Sequence, residues 1–386
     1  MSAGEAGAAV PAQLSPVLRD LPTYPFVRLA QAKQAAAERG IDLIDFGVGE
    51  PREETPAFIR TALAGAIEPV SSYPSSDGLA ELREAIAGWV ERRFGAPLDP
   101  DTEVVPTLGS KEAIFQLAAV LDGETVAVTE PGYPVPERGA LFAGRAVHRL
   151  PLRAENGWLP DPADLPDPAR LALVWLNSPN NPTGAVAPLA LLERLASLAR
   201  EHGFVLACDE AYSELWFGAE PPPGALALSD RTNVLAFNTL SKRSSMPGYR
   251  SGFAAGDPAL VAALKRYRPN VGTAPQTFVQ RAAIAAWRDE AHVVEVRERY
   301  AAKRAVMVAA CEAAGLRPVG GEASFFLWLA VPGGGSSEAY ALELLDRTGI
   351  VVAPGAFFGP YGEGHVRLAL VPTQAECERA AALLAS

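Results

Sequence analysis

Four short polar segments follow apolar runs along the chain, and each contains residue types that can do chemistry. They are Gly109–Lys111 (GSK), Asn177–Gly184 (NSPNNPTG), Asp209–Tyr212 (DEAY) and Thr239–Arg250 (TLSKRSSMPGYR). A lysine amine can act as a nucleophile and proton carrier, and a buried carboxylate can hold a cation. Backbone N–H groups at a helix start, together with an arginine, can bind a phosphate. The four segments therefore predict one ligand site.

Each segment also has a purely structural explanation. Asn-Pro-Thr-Gly is a good turn, an aspartate at a strand end often caps a helix, and a single lysine is usually solvated. The joint occurrence of the four segments in this order favours a functional site over four unrelated turns.

The apolar runs predict the elements that would position these segments. Buried strands are predicted at Thr125–Thr129, Leu171–Leu176, Phe204–Cys208 and Val234–Phe237. Spacing of apolar residues by three or four predicts helices at Pro188–His202, Gln276–Trp287 and His292–Ala314. Helices are also expected at Leu79–Phe94 and Glu112–Val120. Buried strands separated by helices indicate an α/β fold with a mostly parallel sheet. Ligands bind such sheets at the carboxyl ends of the strands.

Together the motifs resemble those of the pyridoxal phosphate (PLP)-dependent aminotransferases of fold type I, class I/II. The matching motifs are Gly-Glu-Pro at 49–51, the turn at Pro131–Pro134, Asn-Asn-Pro-Thr-Gly at 180–184, Asp-Glu-x-Tyr at 209–212, Ser-Lys at 241–242 followed by Arg250, and Arg367. The resemblance runs from about Leu43 to Leu370, which is most of the chain.

This resemblance implies a large domain with a mostly parallel seven-stranded sheet and a smaller α/β domain at the C-terminal end. We expect a flexible N-terminal arm at 1–20 and a segment at 21–55 that packs on the small domain. The large PLP-binding domain is then expected at 56–275, and the long helix with the small C-terminal domain at 276–386.

The resemblance also implies roles around the PLP ring. Lys242 has the place of the lysine that forms a Schiff base with the PLP aldehyde and then moves a proton. Asp209 matches the carboxylate that keeps the pyridine nitrogen protonated, so that the ring accepts electrons. Asn181 and Tyr212 match residues that hydrogen-bond the phenolic oxygen of the ring. Tyr133 matches the aromatic residue stacked on the ring, where many relatives have tryptophan.

Further matches lie around the PLP phosphate and the substrate. The phosphate positions are Gly109, Ser110, Lys111, Thr239, Ser241 and Arg250. Tyr73 matches a tyrosine that reaches the phosphate from the partner subunit, so we expect a homodimer with shared active sites. Arg367 matches the arginine that grips the substrate α-carboxylate as a bidentate fork. The Gly49 backbone and Asn181 are also expected at the substrate.

Two details favour a particular substrate. Arg243, directly after Lys242, and the segment Ala286–Tyr300 resemble the N-succinyldiaminopimelate aminotransferases of lysine biosynthesis. We therefore expect transfer of an amino group between N-succinyl-LL-2,6-diaminopimelate and the 2-oxoglutarate/glutamate pair. The distant succinyl carboxylate needs a second contact, because an unpaired buried carboxylate is costly. Arg28, Arg52 and Arg243 are candidates for that contact.

Other activities on the same fold stay open. They include an aspartate, aromatic or acetylornithine aminotransferase and a C–S lyase. A non-enzymatic alternative is the effector-sensing half of a transcription regulator, which carries a basic winged-helix domain ahead of the PLP domain. Here fewer than 50 residues precede the Gly-Glu-Pro motif, and they are not basic, which disfavours that alternative.

The net charge and the cysteines indicate which binding partners and which cellular compartment to expect. With 34 Lys and Arg against 45 Asp and Glu, the net charge of −11 disfavours binding to nucleic acid. No apolar run is long enough to span a membrane, and the N-terminus lacks the basic residues of a signal peptide. Cys208, Cys311 and Cys377 fit no metal site and indicate free thiols in the cytoplasm. The expected partners are amino acid and 2-oxo acid substrates, with no metal.

Overall fold

The computed structural model describes residues 15–21 and 26–385, so most of the expected N-terminal arm, 1–20, lies outside the described residues. The helices of this part of the chain are α1 (Pro16–Asp20), α2 (Phe26–Glu38), α3 (Ala57–Gly65), α4 (Ala80–Phe94), α5 (Ser110–Gln116), α6 (Val135–Phe142), α7 (Leu189–His202), α8 (Leu240–Arg243), α9 (Pro258–Tyr267), α10 (Thr277–Arg288), α11 (Ala291–Ala313), α12 (Ser337–Thr348) and α13 (Gln374–Leu384). The strands are β1 (Ile44–Asp45), β2 (Val104–Thr107), β3 (Thr125–Glu130), β4 (Ala146–Pro151), β5 (Leu171–Asn177), β6 (Val205–Asp209), β7 (Val234–Thr239), β8 (Gly252–Gly256), β9 (Arg317–Pro318), β10 (Phe326–Ala330), β11 (Ile350–Val351), β12 (Ala353–Pro354) and β13 (His365–Ala369).

The central sheet has seven strands in the order β2-β8-β7-β6-β5-β3-β4. Strand β8 pairs antiparallel with β2 and β7, and the other neighbours pair in parallel. Every residue of β5 and β6 is buried, as expected for apolar strands covered by helices on both faces. The α/β class with a mostly parallel seven-stranded sheet is therefore confirmed.

The strands and helices predicted from the sequence are confirmed, with ends that differ by one or two residues in all but one case. The helix expected at Glu112–Val120 begins earlier, since α5 starts at Ser110 and a 3₁₀ turn continues from Leu117 to Val120. Gly109 has a φ of +68°, which lets the chain turn directly into this helix. Ser110 and Lys111 were expected before the helix, but they form its first turn.

A second, four-stranded sheet, β12-β13-β10-β9, is antiparallel and lies in the C-terminal region. The beginning of the described chain also joins this region, because β1 pairs in parallel with β11, with Ile44 opposite Ile350. Helix α2 places Leu29 in the same buried cluster as Trp328 and Val351. The division of the chain into domains at the residues given above stays a prediction.

Among the described helices, none combines the length and the apolar composition that crossing a bilayer requires. Cys208, Cys311 and Cys377 are buried free thiols. Burial raises the pKa of Cys311 to about 12 and that of Cys377 to about 11, so both thiols are poor nucleophiles.

Candidate active site

A cavity of about 320 Å³ opens where three central strands end. Asn177, Asp209 and Thr239 are the last residues of β5, β6 and β7, and all three line the cavity. The sheet register places Asn177 directly opposite Asp209. The predicted site residues in the lining are Gly49, Ser110, Lys111, Tyr133, Asn181, Asp209, Tyr212, Thr239, Ser241, Lys242, Arg250 and Arg367. The structure thus brings together all the residues predicted around PLP and the α-carboxylate, except Gly109 and Tyr73.

Lys242 lies in the short helix α8, which follows β7 directly. Its Nζ donates a hydrogen bond to the backbone oxygen of Gly49 at 2.8 Å. Burial lowers the pKa of Lys242 to about 8, and the positive charges of Arg367 and Arg250 act in the same direction. Near neutral pH this amine is therefore deprotonated more often than a surface lysine, as a nucleophile or proton acceptor requires.

Asp209 provides a buried carboxylate at the end of β6. Its Oδ1 accepts a hydrogen bond from the backbone N–H of Ala211 at 3.2 Å. Burial raises the pKa of Asp209 to about 6, although that hydrogen bond and the charge of Lys242 oppose the shift. A carboxylate in such surroundings is stabilised when a cation is placed against it. The site can therefore hold a positively charged group at Asp209.

Arg367 is fixed on several sides. Its Nη1 donates to Asn181 Oδ1 and its Nη2 donates to the Gly47 backbone oxygen, each at 2.8 Å. The guanidinium carbon lies 4.2 Å from the ring centre of Phe326 and 4.7 Å from that of Phe358. Such a buried and oriented guanidinium is suited to bind a carboxylate with two parallel hydrogen bonds.

Hydroxyl groups and cations gather at the start of α5. Thr239 Oγ1 and Ser241 Oγ are 2.9 Å apart and hydrogen-bonded. Arg250 Nη2 donates to the backbone oxygen of Leu108 at 3.2 Å. The guanidinium also covers Gly109, where an added Cβ would lie 2.6 Å from Nη2. Gly109 thus lies under Arg250 rather than in the lining, and the cluster can bind an anion such as a phosphate.

Tyr73 does not reach the cavity of its own chain. Its side chain is fully exposed, as are large parts of Ile67 and Val70 a few residues earlier. The contact expected for Tyr73 is with the cofactor of a second chain, so it stays a prediction.

Some lining residues were missed by the sequence analysis, and Asn177 is the most informative of them. Its Nδ2 donates to the backbone oxygen of Asp209 at 2.8 Å, and its Oδ1 accepts from the backbone N–H of Asn181 at 2.6 Å. Its place at the beginning of the NSPNNPTG segment could have indicated it. Phe326 and Phe358 carry no comparable signal, because aromatic residues in apolar runs are typical of any core.

None of the three arginines proposed for a distal carboxylate lines the cavity. Arg243 is buried, with its Nη2 2.8 Å from Glu290 Oε1 and its guanidinium carbon 4.7 Å from the ring centre of Trp287. Arg28 is paired with Glu338 at 3.1 Å, and Arg52 is paired with Asp45 at 3.6 Å. All three side chains are therefore paired with carboxylates away from the cavity.

Known proteins resemble this chain over nearly its whole length. LL-diaminopimelate aminotransferase of Aquifex aeolicus (strain VF5) is 41% identical over 95% of this chain and 97% of that protein. The crystal structure of an aminotransferase from Neisseria meningitidis Z2491 matches with a TM-score of 0.89 and 36% identity, over 95% and 98% of the two chains. A probable N-succinyldiaminopimelate aminotransferase from Thermus thermophilus matches with a TM-score of 0.85 and 31% identity, over 93% and 99%.

The relatives overturn the expected substrate. The Aquifex protein, and others at 37% to 40% identity, are named for LL-diaminopimelate, without a succinyl group. The prediction of N-succinyl-LL-2,6-diaminopimelate as the substrate is therefore wrong. The alternatives considered, which were aspartate, aromatic and acetylornithine aminotransferases and a C–S lyase, do not include LL-diaminopimelate either.

The family assignment rests on most of the chain. A family model described as aminotransferase class I and II matches residues 41–384. This range contains every residue that lines the cavity apart from Phe26. The solved aminotransferases above share the fold, which is that of the fold-type I enzymes. This chain is therefore an aminotransferase that belongs to the class I and II family.

Proposed function

We propose that this aminotransferase takes its amino group from LL-diaminopimelate and passes it to a 2-oxo acid, 2-oxoglutarate. The observation that carries the proposal is the 41% identity to the Aquifex LL-diaminopimelate aminotransferase over nearly both chains. The fixed guanidinium of Arg367 supports it, because LL-diaminopimelate and glutamate both present an α-carboxylate to such a group.

Enzymes of this family use PLP, and the cavity fits that cofactor. Within the described part of the chain, no cation restores the usual pKa of the buried Asp209 carboxylate, and a protonated pyridine nitrogen would supply such a cation. The hydroxyls of Thr239 and Ser241, with Arg250 and the start of α5, provide donors for a phosphate. Bound PLP supplies an electron sink for negative charge that develops at the substrate α-carbon.

We assign the reacting groups of the chain as follows. The amine of Lys242 holds the cofactor and carries a proton to and from the reacting carbon, which its lowered pKa allows near neutral pH. Asn181 and Tyr212 bind the ring oxygen, and Tyr133 packs on the ring face. Arg367 orients the substrate through its α-carboxylate, so that the α-carbon faces Lys242.

We also propose that the working unit is a homodimer in which Tyr73 contacts the cofactor phosphate of the partner subunit. Ile67, Val70 and Tyr73 lie within one short stretch and are all largely exposed in the single chain. Exposed apolar side chains grouped in this way are typical of a contact with another protein surface.

The substrate proposal predicts that LL-diaminopimelate is used better than other amino donors. With 2-oxoglutarate as acceptor, kcat/KM for LL-diaminopimelate should exceed that for aspartate, tyrosine and acetylornithine by roughly tenfold or more. Each of these three donors differs from LL-diaminopimelate in side-chain groups, so polar groups of the pocket would be left without a hydrogen-bond partner. Glutamate formation measures the rate. N-succinyl-LL-2,6-diaminopimelate serves as the matched comparison, since acylation alters only the distal amine. A clear preference for aspartate would leave the family assignment intact and refute the substrate.

A second prediction concerns Lys242. Borohydride reduction of the PLP-loaded protein should attach PLP to the peptide that contains Lys242, as peptide mass spectrometry would detect. Lys242→Ala should lower kcat by about 10³-fold or more, because the nucleophile and the proton carrier are lost together. Lys265→Ala, on the surface helix α9, is the control and should behave as wild type. Attachment to a different lysine would refute the assignment.

The substitution Asp209→Asn should lower kcat much more than it lowers the affinity for PLP. The amide keeps the acceptor for Ala211 but cannot hold a protonated nitrogen, so we expect kcat to fall by roughly 10²–10³-fold with a much smaller loss of PLP affinity. Titration of the PLP absorbance measures the affinity. Asp230→Asn, on the surface, is the control. Equal and small losses in kcat and affinity would mean that Asp209 is only a turn residue.

The raised pKa of Asp209 also predicts the sign of a stability change. Between about pH 4 and 6 the cofactor-free folded protein binds more protons at this carboxyl than the unfolded chain does, so stability falls as pH rises. At pH 8 the neutral Asp209→Asn protein, without PLP, should therefore melt at the same or a higher temperature than wild type. A lower melting temperature would show that the ionised carboxylate stabilises the empty site.

The dimer proposal predicts complementation between two inactive variants. When Lys242→Ala and Tyr73→Ala chains are mixed and exchanged, each hybrid dimer contains one site with both intact residues. Activity should recover to about a quarter of wild type, since half of the dimers are hybrids and each has one working site. Each variant alone, taken through the same exchange, is the control. A fully active wild-type monomer in sedimentation would contradict shared sites.

A further inference from the structure

Arg268 is a fully buried cation that the proposed chemistry does not use. It begins the 3₁₀ turn Arg268–Val271, which follows α9. Its Nη1 donates to the Ser76 backbone oxygen at 2.9 Å, and its Nη2 donates to Glu112 Oε1 at 3.0 Å. One guanidinium therefore joins the loop at 71–78 to the helix α5.

Glu112 connects Arg268 to the proposed phosphate site. Its Oε1 also accepts a hydrogen bond from the backbone N–H of Leu108 at 3.2 Å. This bond closes the turn that carries Ser110 and Lys111, both of which line the cavity. Burial raises the pKa of Glu112, and the charge of Arg268 opposes that shift. A negative charge in the first turn of α5 is also favoured by the helix dipole.

The base of the loop at 71–78 is held on its other side as well. The backbone oxygen of Gly78 accepts from Arg83 Nη1 at 2.8 Å, and the Leu79 backbone N–H donates to Gln280 Oε1 at 2.6 Å. Tyr73, three residues before Ser76, projects into solvent from this fixed base. The bond from Arg268 to Ser76 therefore links this loop, and with it Tyr73, to α5.

Stability alone is a poor explanation for Arg268. A buried ion pair contributes little net stability, and apolar residues of similar volume often do as well or better. A guanidinium can, however, donate to two acceptors in fixed directions at the same time, which a lysine amine on a flexible stem does poorly. The contacts of Arg268 match that property.

We propose that Arg268 is a positioning residue that fixes the phosphate turn of one subunit relative to the loop that the same subunit extends to its partner. The inference rests on the proposed homodimer with shared sites. It predicts that Arg268 affects PLP binding in two places, which are the site of its own chain, through Glu112, and the site of the partner, through Tyr73.

Hybrid dimers with two different affinity tags can test each effect separately. One chain always carries Lys242→Ala, so that PLP trapped on Lys242 by borohydride reports a single site. In the first hybrid, Arg268→Lys is placed in the chain that keeps Lys242. In the second hybrid, Arg268→Lys is placed in the Lys242→Ala chain. We expect the apparent Kd for PLP to rise by about tenfold or more in both, as the loss of a charged hydrogen bond implies.

One control variant and one replacement variant accompany Arg268→Lys. Arg281→Gln removes an exposed arginine that pairs with Glu81, and it should leave the Kd unchanged in both hybrids. If Arg268→Lys does not fold, as judged by circular dichroism, Glu112→Gln replaces it in the same two arrangements, because the amide lacks the charge that holds Arg268. With Glu112→Gln, the Kd should again rise in both hybrids.

An unchanged Kd in the second hybrid would overturn the inference, because Arg268 would then act only within its own chain or only on folding. An unchanged Kd in both would overturn it as well. Sedimentation of the wild-type protein separates this failure from that of the proposed function. A monomer would refute shared sites and the inference with them, whereas a dimer whose second hybrid binds PLP normally would refute the inference alone.

Discussion

A continuous path of hydrogen bonds from Asp209 to Arg367 organises the cavity. Asn177 donates to the backbone of Asp209 and accepts from the backbone of Asn181, whose side chain in turn accepts from Arg367. The path begins on the central sheet and ends on the antiparallel sheet. It sets the distance between Asp209, which we propose holds the cofactor ring, and Arg367, which we propose holds the substrate. The two sheets must therefore be correctly placed before either residue can work.

The sequence predicted the site where its residues lie in the same stretch of chain as the strand that positions them. The strands β5, β6 and β7 are apolar along their length, and the polar segments follow them directly, so both the sheet and the meeting of these segments could be predicted. Asn177 was missed although it lies in the same segment as Asn181. Its role depends on the register between β5 and β6, which places it opposite Asp209 and which no local pattern encodes.

Arg243 shows why the substrate could not be read from residues next to the lysine. A charged residue beside Lys242 suggested a contact for a second carboxylate, yet its side chain turns away to Glu290 and to the rings of Trp89 and Trp287. Trp89 lies in α4, Trp287 lies in α10 and Glu290 directly precedes α11, so all three are distant from Arg243 in sequence. Similarity along nearly the whole chain to proteins named for LL-diaminopimelate draws on far more residues than one side chain does, and it overturned the predicted substrate.

The parallel pairing of β1 with β11 has a consequence for the order of events during synthesis. Gly47 and Gly49, whose carbonyl oxygens hold Arg367 and Lys242, follow β1 directly, yet β1 finds its partner strand only near the other end of the chain. Pairing between such remote segments forms late, because a long loop must close first. On the ribosome, the first fifty residues emerge long before β11 does. The cavity can therefore be completed, and can capture its cofactor, only after β11 and the residues up to Arg367 have left the exit tunnel.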